Sequence, residues 1–198
     1  KFCPLASPCS DPAGCHKVIM KYRSVDEAYN ANDAIRSKLK ETVLSFTAEQ
    51  VDTLPAGEKW TIKQIVEHVS LVNEGVVRIC AKLLSKAESA NRLSSGEFVV
   101  SNSFVEKGVE VVDVKLEAPE FVHPVHGASI DDSFAKLDAS MELAASLREK
   151  FQKFDGTEAK FPHPYFGDLS AHEWLVLSGA HEARHLKQIR NMIEKISH

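Results

Sequence analysis

Residues 170–196 read SAHEWLVLSGAHEARHLKQIRNMIEKI, and this stretch does most to define the fold. Ser170 and Glu173 have the spacing of a capping box, which marks the first turn of an α-helix. Apolar side chains and two histidines then recur every three or four residues: Trp174, Leu175, Leu177, His181, His185, Ile189, Met192 and Ile196. This spacing predicts a long amphipathic helix with one face turned towards a core.

Three earlier segments carry the same helical period and are expected to pack with it, namely residues 25–50, 61–90 and 131–154. Ser24 with Glu27 and Thr61 with Gln64 supply capping boxes for the first two. The predicted fold class is therefore all-α, a four-helix bundle with a long connection, residues 91–128, between helices two and three.

The long connection contains the β-branched runs FVV (98–100) and VEVVDV (109–114), which predict a short strand or hairpin. A connection of this length in a compact domain usually covers something functional. The loop PHPYFGDL (162–169) is expected to be a short lead-in to the fourth helix.

Composition limits the classes of function. Hydrophobic residues make up 43% of the 198 residues and charged residues 26%, which is ordinary for a globular domain. The net charge of -4 gives no reason to expect nucleic acid or an anionic membrane as a partner. Since no apolar run reaches the roughly 20 residues that span a bilayer, no membrane segment is predicted.

Residues 1–19 are rich in Pro, Ser and Cys and have no helical period, so we expect a poorly structured N-terminal extension. The alternative is that Met20 is the natural start; in either case residues 20–198 are expected to form the bundle domain. The six-residue spacing of the early cysteines matches no common zinc module, even with the neighbouring histidine: Cys3, Cys9, Cys15 and His16. Cys80 is expected to be a small buried hydrophobe, and reduced thiols favour a cytoplasmic location.

Two histidines in the fourth helix, His181 and His185, are four residues apart and therefore stack on one helix face. His68 lies three residues after Ile65 and four before Val72, on the inner stripe of the second helix. Three imidazoles on facing helices can bind one transition metal and leave a coordination position open, as catalytic sites do. The alternative is a metal-free bundle in which these histidines are core residues.

The other histidines fit this site less well. His172 is nine residues before His181 and so lies on the opposite helix face, and His198 is the last residue. The remaining candidates lie in Pro-flanked loops, where one could line the mouth of the site: His123, His126 and His163.

Several neighbours of these histidines have open roles. Gln188, three residues after His185, is expected either to hydrogen-bond an imidazole or bound water, or to line the core edge. The carboxylates that flank the histidines are expected to face solvent, and Arg184 to face water or a carboxylate: Glu67, Glu74 and Glu182. Ser178 and Gly179 keep the fourth helix slim, either to leave room for a ligand or to allow close helix packing.

Four segments together resemble the DinB-like superfamily, and the resemblance covers about residues 20–198. They are WTIKQIVEH (60–68), KLEAP (115–119, with Pro124 beyond it), HPYFGDLSAHEWL (163–175) and HEARHLKQI (181–189). The resemblance implies a four-helix bundle in which His68, His181 and His185 hold one divalent metal ion, zinc or nickel. It also implies a homodimer, and some members are S-transferases that use the thiols bacillithiol or mycothiol.

The expected function is a metal-dependent enzyme acting on a small molecule, as a thiol S-transferase or a hydrolase. A water or thiol on the metal is expected to do the chemistry, since the sequence offers no convincing catalytic side chain. For the S-transferase, a low-molecular-weight thiol is the expected co-substrate. The alternative is a non-catalytic metal-binding or stress-response bundle.

Overall fold

The protein is described here from a computed structural model, which covers residues 22–112, 114–125 and 127–196. Within these residues the helices are α1 (Val25–Leu44), α2 (Ala48–Asp52), α3 (Ile62–Ser89), α4 (Asn102–Val111), a 3-10 helix (Glu120–Val122), α5 (Ile130–Lys153) and α6 (Ala171–Ile196). A two-stranded hairpin, β1 (Lys160–His163) and β2 (Gly167–Ser170), precedes α6. The long helices α1, α3, α5 and α6 pack as a four-helix bundle, so the predicted fold class is confirmed.

Some sequence predictions concern residues outside the described ranges. They are the N-terminal extension (1–19), the start at Met20, and the interpretations of Cys3, Cys9, Cys15, His16, His126 and His198. The domain division therefore stays a prediction. Among the described residues, no helix has an apolar stretch long enough to cross a bilayer.

The first helix is shorter than predicted. It ends at Leu44, where the Ser45 N–H turns back to the carbonyls of Thr42 and Val43. Thr47 then begins α2 with a full capping box, because its hydroxyl accepts from the Gln50 N–H and the Gln50 side chain accepts from the Thr47 N–H. The predicted boxes at Thr61 and Ser170 are confirmed.

The strand predicted in the long connection is wrong. Residues 102–111 form α4, and the rest of the connection has no strand within its described part apart from a single bridge between Leu93 and Phe154. Ser101 caps α4 by accepting from the Phe104 N–H, and Phe104 and Gly108 are the buried pair on its inner face. The cap and the buried face outweigh the β preference of the valines.

The lead-in to the fourth helix is also more regular than predicted. Residues 160–170 pair as an antiparallel hairpin, with Lys160 opposite Ser170 and His163 opposite Gly167. Gly167 has a φ of 73°, which a residue with a side chain rarely adopts, and this allows the tight reversal. The hairpin thus delivers Ser170 directly to the start of α6.

Two apolar clusters fill the bundle, and a polar layer separates them. One cluster surrounds Leu83, Phe104, Phe151 and Trp174, and the other surrounds Leu39, Ile65 and Ile189. The residues between the clusters along α1, α3 and α6 are buried and polar: Asn32, Arg36, Asn73, Ser178 and Glu182. The predicted histidine site lies on the side of this layer occupied by the second cluster.

Candidate metal centre

The structure brings His68, His181 and His185 together. The Nε2 atom of His181 lies 3.2 Å from Nε2 of His68 and 3.1 Å from Nε2 of His185. The three imidazoles form the one group of potential metal ligands found among the described residues, with ligand atoms all within 4.8 Å of one another. Since α3 packs directly on α6, the two helices present these rings to each other.

Hydrogen bonds on the far side of two rings fix which nitrogen faces the cluster. The Nδ1 atom of His68 lies 2.7 Å from the Val122 carbonyl oxygen, and Nδ1 of His185 lies 3.0 Å from Oε1 of Gln188. Because a carbonyl or amide oxygen can only accept, Nδ1 of both rings carries the proton and Nε2 of both presents a lone pair to the cluster. The Nδ1 atom of His181 is buried and has no partner among the described residues.

All three rings are neutral at physiological pH. Burial lowers the pKa of His185 to about 3, and the nearby His68 adds to the effect. Burial also lowers the pKa of His68 and holds the pKa of His181 well below its usual range. A neutral imidazole keeps the lone pair that a metal ion needs.

The cluster fits a divalent transition metal. Nitrogen ligands arranged tetrahedrally at about 2.0–2.1 Å from zinc lie about 3.3 Å apart, close to the spacing of the Nε2 atoms. The hydrogen bonds from Nδ1 to a carbonyl and an amide oxygen are those expected behind metal-binding histidines. Imidazole is a ligand that suits both zinc and nickel.

Aromatic rings and the long connection surround the cluster. The Trp60 ring lies 5.0 Å from the His68 ring and 5.8 Å from that of His123, measured between centroids. His123 contacts the Ala118 carbonyl oxygen at 2.8 Å through Nε2. The connection therefore reaches the cluster through the Val122 carbonyl, while His181 stays partly exposed.

The other histidines that the structure describes lie outside the cluster. His163 packs in the hairpin against Phe166 and Trp174, and its Nδ1 accepts from the N–H groups of Tyr165 and Phe166. His172 lies between the rings of Phe98 and Phe151 and accepts from the Val99 N–H, as its predicted position away from the pair implies.

The predicted exposure of two carboxylates is wrong. Glu182 is fully buried, and its Oε1 accepts from Nε and Nη2 of Arg36 in α1. Glu67 is 2% exposed and accepts from the Ala128 N–H at 3.2 Å. Both face neighbouring segments that a single helix period does not reveal. Glu74 is partly exposed and pairs with Arg78 and Lys136.

Helix packing also decides the roles that the sequence left open for Arg184 and for Ser178 and Gly179. Arg184 donates to the carbonyl oxygens of Val111 and Val114 rather than to a carboxylate, and so fastens the end of α4 to α6. A Cβ atom at Gly179 would lie 2.0 Å from Oδ1 of Asn32, so this glycine allows α1 and α6 to pack closely. Ser178 donates to Oδ1 of Asn73 in the polar layer.

The sequence reasoning missed two contributors to the centre. The Val122 carbonyl carries no side-chain signal, and Glu58 lies in a loop without a period. Glu58 approaches the centre through Gln188, whose Nε2 donates to its Oε2 at 3.4 Å. The predicted neighbour Gln188 does contact an imidazole.

Known proteins resemble this chain both in sequence and in fold. The sequence model of the DinB superfamily matches residues 31–189. The uncharacterized protein YuaE of Bacillus subtilis (strain 168) is 26% identical over 156 residues, which are 75% of this chain and 86% of YuaE. The crystal structure of TT2238, a four-helix bundle protein, is similar in fold with a TM-score of 0.57 and 22% identity, covering 85% of this chain and 99% of that one.

Proposed function

Because the chain belongs to the DinB superfamily, we propose that it is a metal-dependent enzyme whose His68, His181 and His185 hold one divalent ion. The ion is zinc or nickel, and the substrate is a small molecule. The observation that supports the proposal most directly is the convergence of three Nε2 atoms at 3.1 and 3.2 Å. Neutral imidazoles at this spacing need a cation or a shared proton between them.

The residues of the chain hold this donor set in place. His68 donates from Nδ1 to the Val122 carbonyl and His185 donates from Nδ1 to Gln188, so their Nε2 lone pairs point inward. Trp60 packs over His68 and limits the movement of that ring. When bound, a divalent ion held by three neutral ligands supplies Lewis acidity that lowers the pKa of a thiol or a water molecule beside it.

We favour a thiol S-transferase over a hydrolase. In S-transfer, the thiolate sulfur bonds to an electrophilic carbon while the leaving group takes the electron pair of the broken bond. In hydrolysis, water takes the place of the thiol. The preference rests on family analogy, which is also the basis for expecting a low-molecular-weight thiol as co-substrate and a homodimer in the cytoplasm.

The first experiment measures metal content by elemental analysis, on protein purified without a histidine tag or added metal. We expect about one zinc or nickel ion per chain in the parent protein, and loss of this metal in His68→Ala and in His185→Ala. His123→Ala is the matched control, because this histidine lies beside Trp60 but outside the cluster. A parent protein that stays metal-free after reconstitution would overturn the proposal.

A second experiment tests the reaction. The metal-loaded protein is assayed for conjugation of bacillithiol, mycothiol and simple thiols to electrophiles, and for hydrolysis of ester and amide panels. Thiol conjugation that is lost in His185→Ala supports the transferase. A full complement of metal with no turnover in either panel would contradict an enzyme and favour a non-catalytic metal-binding module.

A further inference from the structure

Glu58 lies in the turn that leads into α3. Its N–H donates to the Pro55 carbonyl at 3.1 Å, and Gly57 before it has a φ of 80°, as the third residue of a type II turn requires. The turn holds the Glu58 side chain against the last turns of α6, where it is only 15% exposed. A loop residue thus reaches the helix that carries two of the three histidines.

A chain of hydrogen bonds runs from Glu58 to the cluster. Lys195 donates to Oε1 of Glu58 at 2.7 Å, while Nε2 of Gln188 donates to Oε2 at 3.4 Å. The same Gln188 accepts from Nδ1 of His185 at 3.0 Å through its Oε1. The Gln188 amide therefore donates to Glu58 through its nitrogen and accepts from His185 through its oxygen.

Glu58 determines which group donates and which accepts in each of these hydrogen bonds. An ionised carboxylate can only accept, so it draws the NH₂ end of the Gln188 amide towards itself. That leaves the amide oxygen for His185, whose Nδ1 must then carry the proton. If the Gln188 amide group rotated by half a turn, its NH₂ would donate to Nδ1 of His185. That would favour the tautomer with the proton on Nε2, and the protonated Nε2 cannot bind a metal.

We propose that Glu58 is a positioning residue of the metal centre, which orients the Gln188 amide and thereby holds His185 in the tautomer with a free Nε2. The inference rests on the proposed metal site, but the tautomer it assigns exists in the metal-free protein as well. The role differs from that of the ligands, because Glu58 touches no imidazole of the cluster.

The test compares Glu58→Ala with Glu58→Gln. We measure zinc affinity by competition with a chelator, and the His185 tautomer by two-bond ¹H–¹⁵N NMR spectra of the metal-free protein. Glu58→Ala is expected to weaken zinc binding about tenfold and to populate the Nε2–H tautomer of His185. Glu58→Gln is expected to shift both measurements in the same direction as Glu58→Ala, because its one amide oxygen faces Lys195 and its NH₂ group then meets Gln188 as a donor.

Two variants provide the controls. Lys195→Ala removes the ion pair but leaves the contact between Glu58 and Gln188, so it should keep both affinity and tautomer. Glu117→Ala removes an exposed carboxylate that pairs with Lys59 and tests for a general effect of charge. Equal losses in Glu58→Ala and Lys195→Ala would overturn the inference, because the ion pair alone would then explain them.

The outcomes separate this inference from the proposed function. If the parent binds zinc and Glu58→Ala binds it equally tightly with the same tautomer, the inference fails and the metal site stands. If the parent binds no metal, the metal site fails, and the NMR spectra of Glu58→Ala still decide whether Glu58 sets the tautomer of His185.

Discussion

Gly179 is the residue that sets how closely α1 and α6 approach. A Cβ atom there would lie 2.0 Å from Oδ1 and 2.9 Å from Cγ of Asn32, whose Nδ2 is already bonded to the Leu175 carbonyl. Asn32 therefore cannot move aside without losing a buried hydrogen bond. Gly75 in the middle of α3 is different, since no atom of the residues that the structure describes lies within 4 Å of a Cβ atom built on it.

We predict opposite effects for alanine at these two glycines. Gly179→Ala should lower the free energy of unfolding by about 1–3 kcal/mol, because the added methyl group overpacks the contact between α1 and α6. Gly75→Ala should raise it by about 0.5–1 kcal/mol, because alanine favours the helix and meets no obstacle. Urea denaturation of both variants checks the pair, and equal effects would contradict it.

The ion pair between Arg36 and Glu182 is buried in the polar layer, with side-chain exposures of 6% and 0%. Arg36 also donates to Oδ1 of Asn73 at 3.2 Å, which ties α1 to α3 as well as to α6. Burial raises the pKa of Glu182, and Arg36 opposes that rise. The ion pair therefore fixes the rotation of α6 about its own axis at Glu182, which is the residue next to His181.

Removing one member of this pair should cost more stability than removing both. Arg36→Met is expected to lower the free energy of unfolding by about 3–5 kcal/mol at neutral pH, because Glu182 is left buried without a counter-ion. The double variant Arg36→Met, Glu182→Leu should recover most of that loss, since two apolar side chains replace the pair. Thermal denaturation measures both, and a double variant no better than the single one would contradict the expectation.

Among the elements, α4 and the start of α6 are joined by one carboxylate. Glu173 accepts from the Ser170 N–H as part of its own capping box, and its other oxygen accepts from the N–H and hydroxyl of Ser101, the cap of α4. The long connection is therefore anchored at the first turn of α6, and Arg184 holds the far end of α4.

Glu173→Ala should loosen two helices at once. We expect the free energy of unfolding to fall by about 1–3 kcal/mol, because the buried N–H of Ser170 and the partly buried donors of Ser101 lose their acceptor. Hydrogen exchange should accelerate in α4 as well as in the first turn of α6. Glu27→Ala, at the matching position of α1, is the control, and exchange in α4 that stayed unchanged in Glu173→Ala would argue against the link.

The sequence predicted the four long helices because each has an apolar stripe and three of them begin with the spacing of a capping box, as Thr61 and Ser170 illustrate. It did not predict α4 or the hairpin, since short elements depend on partners elsewhere in the chain, such as Glu173 for Ser101. The histidine cluster could be predicted from spacing and inward faces. Glu182 could not be placed, because its burial depends on Arg36, 146 residues away.

For the whole molecule, acid stability depends on histidines that are kept neutral. Burial lowers the pKa of His163 to about 4, and burial also lowers the pKa of His172. In the unfolded chain these groups titrate near 6.5, so below that pH the unfolded state binds more protons than the folded one. Stability should therefore fall as the pH drops from about 6.5 towards 4.

The variant His163→Gln tests this pH dependence in the metal-free protein. The parent should lose about 1 kcal/mol more than the variant between pH 7 and pH 5, after allowance for solvent screening of the half-buried ring. Urea denaturation at both pH values gives the comparison. Parallel losses in the two proteins would show that His163 does not contribute.

His68 lies far from the other two histidines of the cluster in the sequence, and this affects how the protein folds. His68 and His181 are 113 residues apart, so their imidazoles meet only after the last helix has docked. Before that, only His181 and His185 are near each other, and two ligands on one helix hold an ion weakly. An ion bound by all three histidines would therefore slow unfolding without accelerating folding, and so would stabilise the bundle kinetically once it has formed.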